Sequence, residues 1–308
     1  MNPYKYDSVQ NEGQVKLKKE TRNFLQYKVS LKNPLDIVYP ENEVITGDYY
    51  LPKGGNNHPF MVIVHGMGDY SRIPCNMLAR KLIKQNVACF VPYLTIHSKR
   101  LPKAYKSDMP YLTPRQWFEV YRISVVDICR IIDWASNRDE IDAEKIYITG
   151  ISFGGFISSI SMGVDNRIRG GILIVTGGNA NKISWLSKSS RYRKKYPRSE
   201  SEHNNILVKY RKYLDEVEKN GFDNVDAEDM SFYSDPLTFA CNIRYRPVLM
   251  INAEKDKYLH EETVIELWEA LGKPQIVWVP SGHVTLWLRY SSIYRTISEF
   301  LKPLLSNS

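Results

Sequence analysis

The stretch Lys145-Ile146-Tyr147-Ile148-Thr149-Gly150-Ile151-Ser152-Phe153-Gly154-Gly155-Phe156 constrains this chain more than any other. It opens as an alternating run rich in β-branched residues and passes into small ones. It then continues into Phe156-Ile157-Ser158-Ser159-Ile160-Ser161-Met162, which has helical character. Strand, sharp turn and helix follow one another almost without connecting residues, and Ser152 stands at the apex. Where a strand turns directly into a helix, the two backbones crowd the apex, and side chains two before and two after it would collide. Gly150 and Gly154 occupy those positions. The apex serine is expected in a strained conformation with its hydroxyl exposed. The N–H of Phe153, at the start of the helix, then faces an incoming anion.

A chain of 308 residues suits one large α/β domain with an insertion, or two small domains, and can bury a sizeable core. The net charge is +8, and part of the excess is local: Lys182 to Arg198 holds seven basic residues and no acidic one. Such a run attracts nucleic acid, anionic lipid or anionic substrates, but it is more simply a solvated surface. No helix-turn-helix or zinc finger accompanies it, so no nucleic-acid partner is expected. The four cysteines, Cys75, Cys89, Cys129 and Cys241, are widely spaced, and Cys89 and Cys129 sit in apolar runs. They read as reduced, buried thiols of a cytoplasmic protein. The first twenty residues lack an apolar core, so no secretory leader is expected, and no apolar run is long enough to span a bilayer.

Residues 1–20 read as a polar, loosely held lead-in. Phe24 to Leu31 and Val44 to Leu51 alternate as strands at an antiparallel edge. Phe60-Met61-Val62-Ile63-Val64 is continuously apolar, as a parallel strand buried on both faces should be. Helix is predicted over Asn76–Gln85, strand over Val87–Val91, a polar surface excursion over Tyr93–Trp117, and helix over Val120–Ala135. After the central strand, turn and helix comes another strand, Arg169–Val175. Residues 179–232, rich in Lys, Arg, Ser and Tyr with a helix over Asn205–Lys219, read as a cap inserted over the sheet. Strands at Val248–Ile251 and Gln275–Val279 and helices at Glu262–Leu271 and Ser292–Leu305 complete the core, residues 21–178 and 233–308. The predicted fold is a doubly wound, mostly parallel, eight-stranded α/β sheet. Functional loops of such a sheet lie at strand carboxyl ends, here after Val64, Ile151, Ile251 and Val279.

Those four places carry a consistent chemistry. A serine hydroxyl is a weak nucleophile that needs a base, and the base needs an orienting partner. Of the six histidines, His283 in Pro280-Ser281-Gly282-His283 follows the last strand among small residues that let an imidazole reach inward. His260, before a helix, is the alternative, while His58, His97 and His203 lie in polar loops and read as surface residues. Asn252-Ala253-Glu254-Lys255-Asp256 supplies the acid: Asp256, two residues further from the strand, is preferred and Glu254 held in reserve. A salt-bridged loop acid is the bland reading of either. Charge that develops on a carbonyl oxygen is met by two backbone donors. Phe153 offers one, and Met67, between the glycines of His65-Gly66-Met67-Gly68, offers the other. His65 is assigned a role bracing that loop.

The order of these residues resembles the α/β-hydrolase superfamily, in particular serine esterases of the carboxylesterase and dienelactone-hydrolase-like type, over roughly Val44 to Leu305. The resemblance implies Ser152 as nucleophile, His283 as base, Asp256 as its partner, and Met67 and Phe153 as the oxyanion hole. It implies a small-molecule ester as substrate and no cofactor or metal. Three departures stand out. Dienelactone hydrolases proper carry cysteine where this chain has Ser152, Asn252 stands where many relatives have glycine, and residues 179–232 match no subfamily. A dinucleotide loop is rejected because Ser71 stands where the third glycine belongs, and neither a phosphate loop nor an H-E-x-x-H site occurs. The alternatives left are a thioesterase or peptidase of the same fold, and a non-catalytic member that binds a ligand or a protein.

Overall fold

The computed structural model of the protein describes residues 2–7, 13–68, 71–105, 112–188 and 197–306. Nine strands form one sheet in the order β1-β2-β3-β5-β4-β6-β7-β8-β9. Their ranges are β1 Gly13–Glu20, β2 Phe24–Lys32, β3 Val44–Pro52, β4 His58–Val64, β5 Ala88–Pro92, β6 Ile141–Ile151, β7 Ile168–Ile174, β8 Val248–Ala253 and β9 Gln275–Val279. β1, β2, β3 and β5 pair antiparallel, and every pairing from β5 through β4 and β6 to β9 is parallel.

The expectation of eight strands is corrected to nine, and the extra strand lies in the supposed loose lead-in. All eight residues of β1 are exposed, and its lysines make it read as a polar tail. Those same lysines suit an edge strand, where charge discourages pairing with another chain. Lys18 Nζ lies 2.6 Å from Asp48 Oδ1, and the register runs from Gly13 opposite Leu31 to Glu20 opposite Leu25. The preceding residues are held as well: Tyr4 is buried, and its hydroxyl donates to the carbonyl of Tyr233 at 2.6 Å.

Phe60 to Val64 is wholly buried, as a continuous apolar run predicts for a strand covered on both faces. The covering helices are α1 Arg72–Leu82, α2 Pro114–Ser136, α3 Phe153–Val164, α4 Ala180–Leu186, α5 Glu200–Asn220, α6 Pro236–Ile243, α7 Glu261–Ala270 and α8 Tyr290–Ser306. Helix α2 starts sharply because Thr113 and Gln116 form a capping box and Pro114 follows the cap.

The excursion after β5 is not the polar surface loop expected. Thr95, His97 and Arg100 are buried. Arg100 Nη1 donates to Asp127 Oδ2 at 2.5 Å and to the carbonyl of Tyr93 at 2.8 Å, so α2 grips this loop from inside. His58 and His203, also read as surface residues, are buried too. Polar side chains that meet backbone groups or rings across the fold look solvent-facing in a linear sequence.

Between β7 and β8 the chain builds α4, α5 and α6. Tyr210 of α5 is buried in an aromatic cluster, its ring 4.6 Å from that of Phe232, so it packs a core. Trp185 stacks on His203 at 4.4 Å. Tyr192, Tyr196 and the middle of the basic run lie outside the described residues. Of that run, Lys182 pairs with Glu262 and Glu266, and Arg198 donates to Asn181. Among the described residues no helix is long and apolar enough to cross a membrane.

Candidate active site

Only Ser152 separates β6 from α3, and its backbone sits at φ 53°, ψ −117°, a region L-residues avoid. Its N–H donates to the carbonyl of Ile174 on β7 at 2.8 Å, which ties the apex to the sheet. The two glycines are required by contact. A Cβ on Gly150 would fall 2.1 Å from the carbonyl oxygen of Gly154, and one on Gly154 would fall 2.3 Å from that of Val64. Backbone oxygens cannot yield that space, so the strand-to-helix corner closes only around hydrogen atoms.

His283 follows β9 in a small-residue turn that Gly282 N–H secures by donating to Thr285 Oγ1 at 2.9 Å. Its Nε2 lies 2.8 Å from Ser152 Oγ and its Nδ1 lies 2.6 Å from Asp256 Oδ2. With Nδ1–H donating to the carboxylate, Nε2 is left as the acceptor for the serine hydroxyl. Asp256 Oδ1 accepts the N–H groups of Tyr258 and Leu259 at 2.8 and 3.0 Å, so the carboxylate is aimed by its own loop. That loop is stitched to the histidine loop by Lys255 N–H to the Ser281 carbonyl at 2.9 Å and Glu254 N–H to the Val279 carbonyl at 3.0 Å. The side chain of Glu254 is exposed, and the carboxylate that meets the imidazole is that of Asp256. His260 is used otherwise: its Nδ1 accepts the N–H of Glu262 and caps α7.

The loop after β4 runs beside the serine. A Cβ on Gly66 would lie 3.4 Å from Ser152 Cβ, so the backbone leading to Met67 passes against the apex. The N–H of Phe153 is the first of α3 and has no carbonyl within the helix to receive it. His65 is fully buried and braces the loop: Nδ1 donates to the Gly66 carbonyl at 2.8 Å, and Nε2 accepts the Leu94 N–H at 3.2 Å. Burial, and then the neighbouring His97, push its pKa well below the usual value.

The four expected loops thus converge on one rim, with Ser152, His283 and Asp256 in hydrogen-bond sequence. His97 was missed, because the rim also receives the loop after β5. The signal was present as Leu94-Thr95-Ile96-His97, an alternating run that continues past a strand's carboxyl end. Asn252 is buried, and its Oδ1 accepts the Thr176 N–H at 3.0 Å, so it joins β8 to the chain after β7.

Residues 9–302 match the family described as alpha/beta hydrolase domain containing 18. An uncharacterized protein of Mycobacterium tuberculosis is 26% identical over 233 residues, 73% of this chain and 49% of that one. The quorum-quenching protein AidA of Acinetobacter baumannii is 28% identical over 136 residues, 44% of this chain and 41% of its own. The chain thus spans about half the length, or less, of the curated relatives it matches. Among solved structures, an acetyl xylan esterase from Paenibacillus sp. R4 superposes with a TM-score of 0.65 at 18% identity, covering 93% of this chain and 88% of the other. At that identity the likeness is one of fold.

Proposed function

The chain belongs to the alpha/beta hydrolase domain containing 18 family, and from that membership we propose that it is a serine hydrolase that cleaves carboxylic esters through an acyl-serine intermediate. The observation that carries the reading is the linked pair of contacts at His283, 2.8 Å to Ser152 Oγ and 2.6 Å to Asp256 Oδ2.

In this reading Ser152 Oγ attacks the ester carbonyl while His283 Nε2 takes its proton. The ring then carries a positive charge, which the Asp256 carboxylate stabilises without itself taking up the proton. The oxygen of the tetrahedral intermediate is met by the N–H groups of Phe153 and Met67. Collapse expels the alkoxide, which receives the proton from His283 and leaves as an alcohol. Water, deprotonated by the same imidazole, then releases the acid and restores the serine. No step calls for a cofactor or metal. Residues 179–232 act as the cap that sets substrate choice. Its beginning is tied to the acid loop, since Lys188 N–H donates to the Lys257 carbonyl at 3.0 Å. Esterases among the solved structures of like fold support an ester as the bond cleaved.

The deciding experiment is a screen of chromogenic esters and thioesters of increasing acyl length, run with and without a fluorophosphonate. Turnover that stops when Ser152 is labelled is the expected result. Silence toward every ester together with an unlabelled Ser152 overturns the reading in favour of a ligand-binding member of the fold.

A further inference from the structure

Two loops at the rim are laced together by reciprocal bonds. His65, in the loop after β4, accepts the N–H of Leu94 in the loop after β5 at 3.2 Å. His97, in the loop after β5, accepts the N–H of Gly68 in the loop after β4 at 3.0 Å. The two rings meet edge to face at 4.4 Å and 89°. His97 is 3% exposed, so the bond to Gly68 is shielded from water. Its loop is anchored in turn by Arg100 on Asp127 and by Thr95 Oγ1 at 3.1 Å from Ser124 Oγ, both partners lying on α2.

The bond to Gly68 has a consequence for the neighbouring residue. Gly68 adopts φ +90°, a conformation open to glycine, and its N–H is committed to the imidazole. It is therefore withdrawn from service to an oxyanion, which leaves that role to Met67. The Met67 N–H shares its peptide with the Gly66 carbonyl, which accepts from His65 Nδ1 at 2.8 Å and Ser71 Oγ at 2.7 Å, and the peptide on the other side of Met67 is held at the Gly68 N–H by His97.

We propose that His97 is a positioning residue for the oxyanion hole: by accepting the Gly68 N–H it holds the loop so that the Met67 N–H faces the carbonyl oxygen above Ser152. The inference rests on the esterase reading of the same site. His97 touches no reacting atom and acts through Gly68.

Two variants separate this role from simple packing. His97→Phe keeps an aromatic ring against His65 and removes the acceptor, while His97→Gln keeps an acceptor of similar reach. For His97→Phe, kcat on the best ester falls about 10- to 100-fold with KM within about twofold, since displacing a transition-state donor spares ground-state binding. His97→Gln recovers most of the loss. With glycine labelled by nitrogen-15, the Gly68 amide proton shifts upfield in His97→Phe and returns toward its original position in His97→Gln. If His97→Phe does not fold, His97→Asn, whose shorter amide stops short of Gly68, takes its place. Wild-type kcat in the variant lacking the acceptor overturns the proposal. So does an equal loss in both variants that follows their melting temperatures. If the wild type hydrolyses no ester and Ser152 resists the fluorophosphonate, it is the esterase reading that falls, and this role with it. An active wild type with an unaffected His97→Phe removes the positioning role alone.

Discussion

At Ser152, one residue has to satisfy both backbone and chemistry. A conformation at φ 53°, ψ −117° costs an L-residue about 1–3 kcal/mol, and the surrounding glycines and the bond to Ile174 hold it there. Ser152→Ala keeps the Cβ and loses the nucleophile. Its kcat is expected to fall by about 10⁴ to 10⁶ with the fold intact, as steady-state kinetics and circular dichroism would show. Ser152→Gly should melt at or above Ser152→Ala, reversing the usual order of the two residues, because glycine alone relieves the strained φ. At the acid, Asp256→Asn leaves the imidazole without an anionic partner and favours the wrong tautomer. A loss of about 10⁴ in kcat is expected. Glu254→Gln, altered at an exposed side chain, should turn over like the wild type in the same assay.

At the scale of elements, the corner between β6 and α3 depends on close approach rather than on propensity. Gly150→Ala would drive a Cβ to 2.1 Å from the Gly154 carbonyl and 2.3 Å from Ser158 Oγ. Overpacking against backbone is expected to lower stability by about 1–3 kcal/mol or more, seen as a reduced urea midpoint, and to reduce activity through displacement of Ser152. The loops after β8 and β9 behave as one element, since backbone bonds join Glu254 to Val279 and Lys255 to Ser281. That joining explains how residues 27 positions apart, Asp256 and His283, keep a 2.6 Å contact between largely buried side chains.

For the whole molecule, acid stability should follow His65. In the folded protein its pKa is depressed by burial, while in the unfolded chain it titrates normally, near 6.5. Below that value the unfolded state binds the extra proton, so stability rises with pH through this window and is lost on acidification. Melting temperature should fall from pH 7 to pH 5, and less steeply in His65→Gln than in the wild type. An identical slope in both would show that the buried ring is not the source. The same acidification weakens the brace between the loops after β4 and β5, because a protonated His65 cannot accept the Leu94 N–H at Nε2.

The parallel strands and the elbow were legible because each is a local demand written in a few neighbours: Phe60–Val64 is apolar throughout, and the corner at Ser152 tolerates only small residues around it. The order of Ser152, Asp256 and His283 along strand ends was legible for the same reason, through the rule that loops at strand carboxyl ends share a rim. The ninth strand was not, because β1 is an exposed, lysine-rich edge whose strand character comes from its partner β2 and not from a buried face. The burial of His58, His97 and His203 was not legible either. A polar side chain is stable inside only when a distant backbone or ring receives it, and those partners are brought within reach by the fold alone.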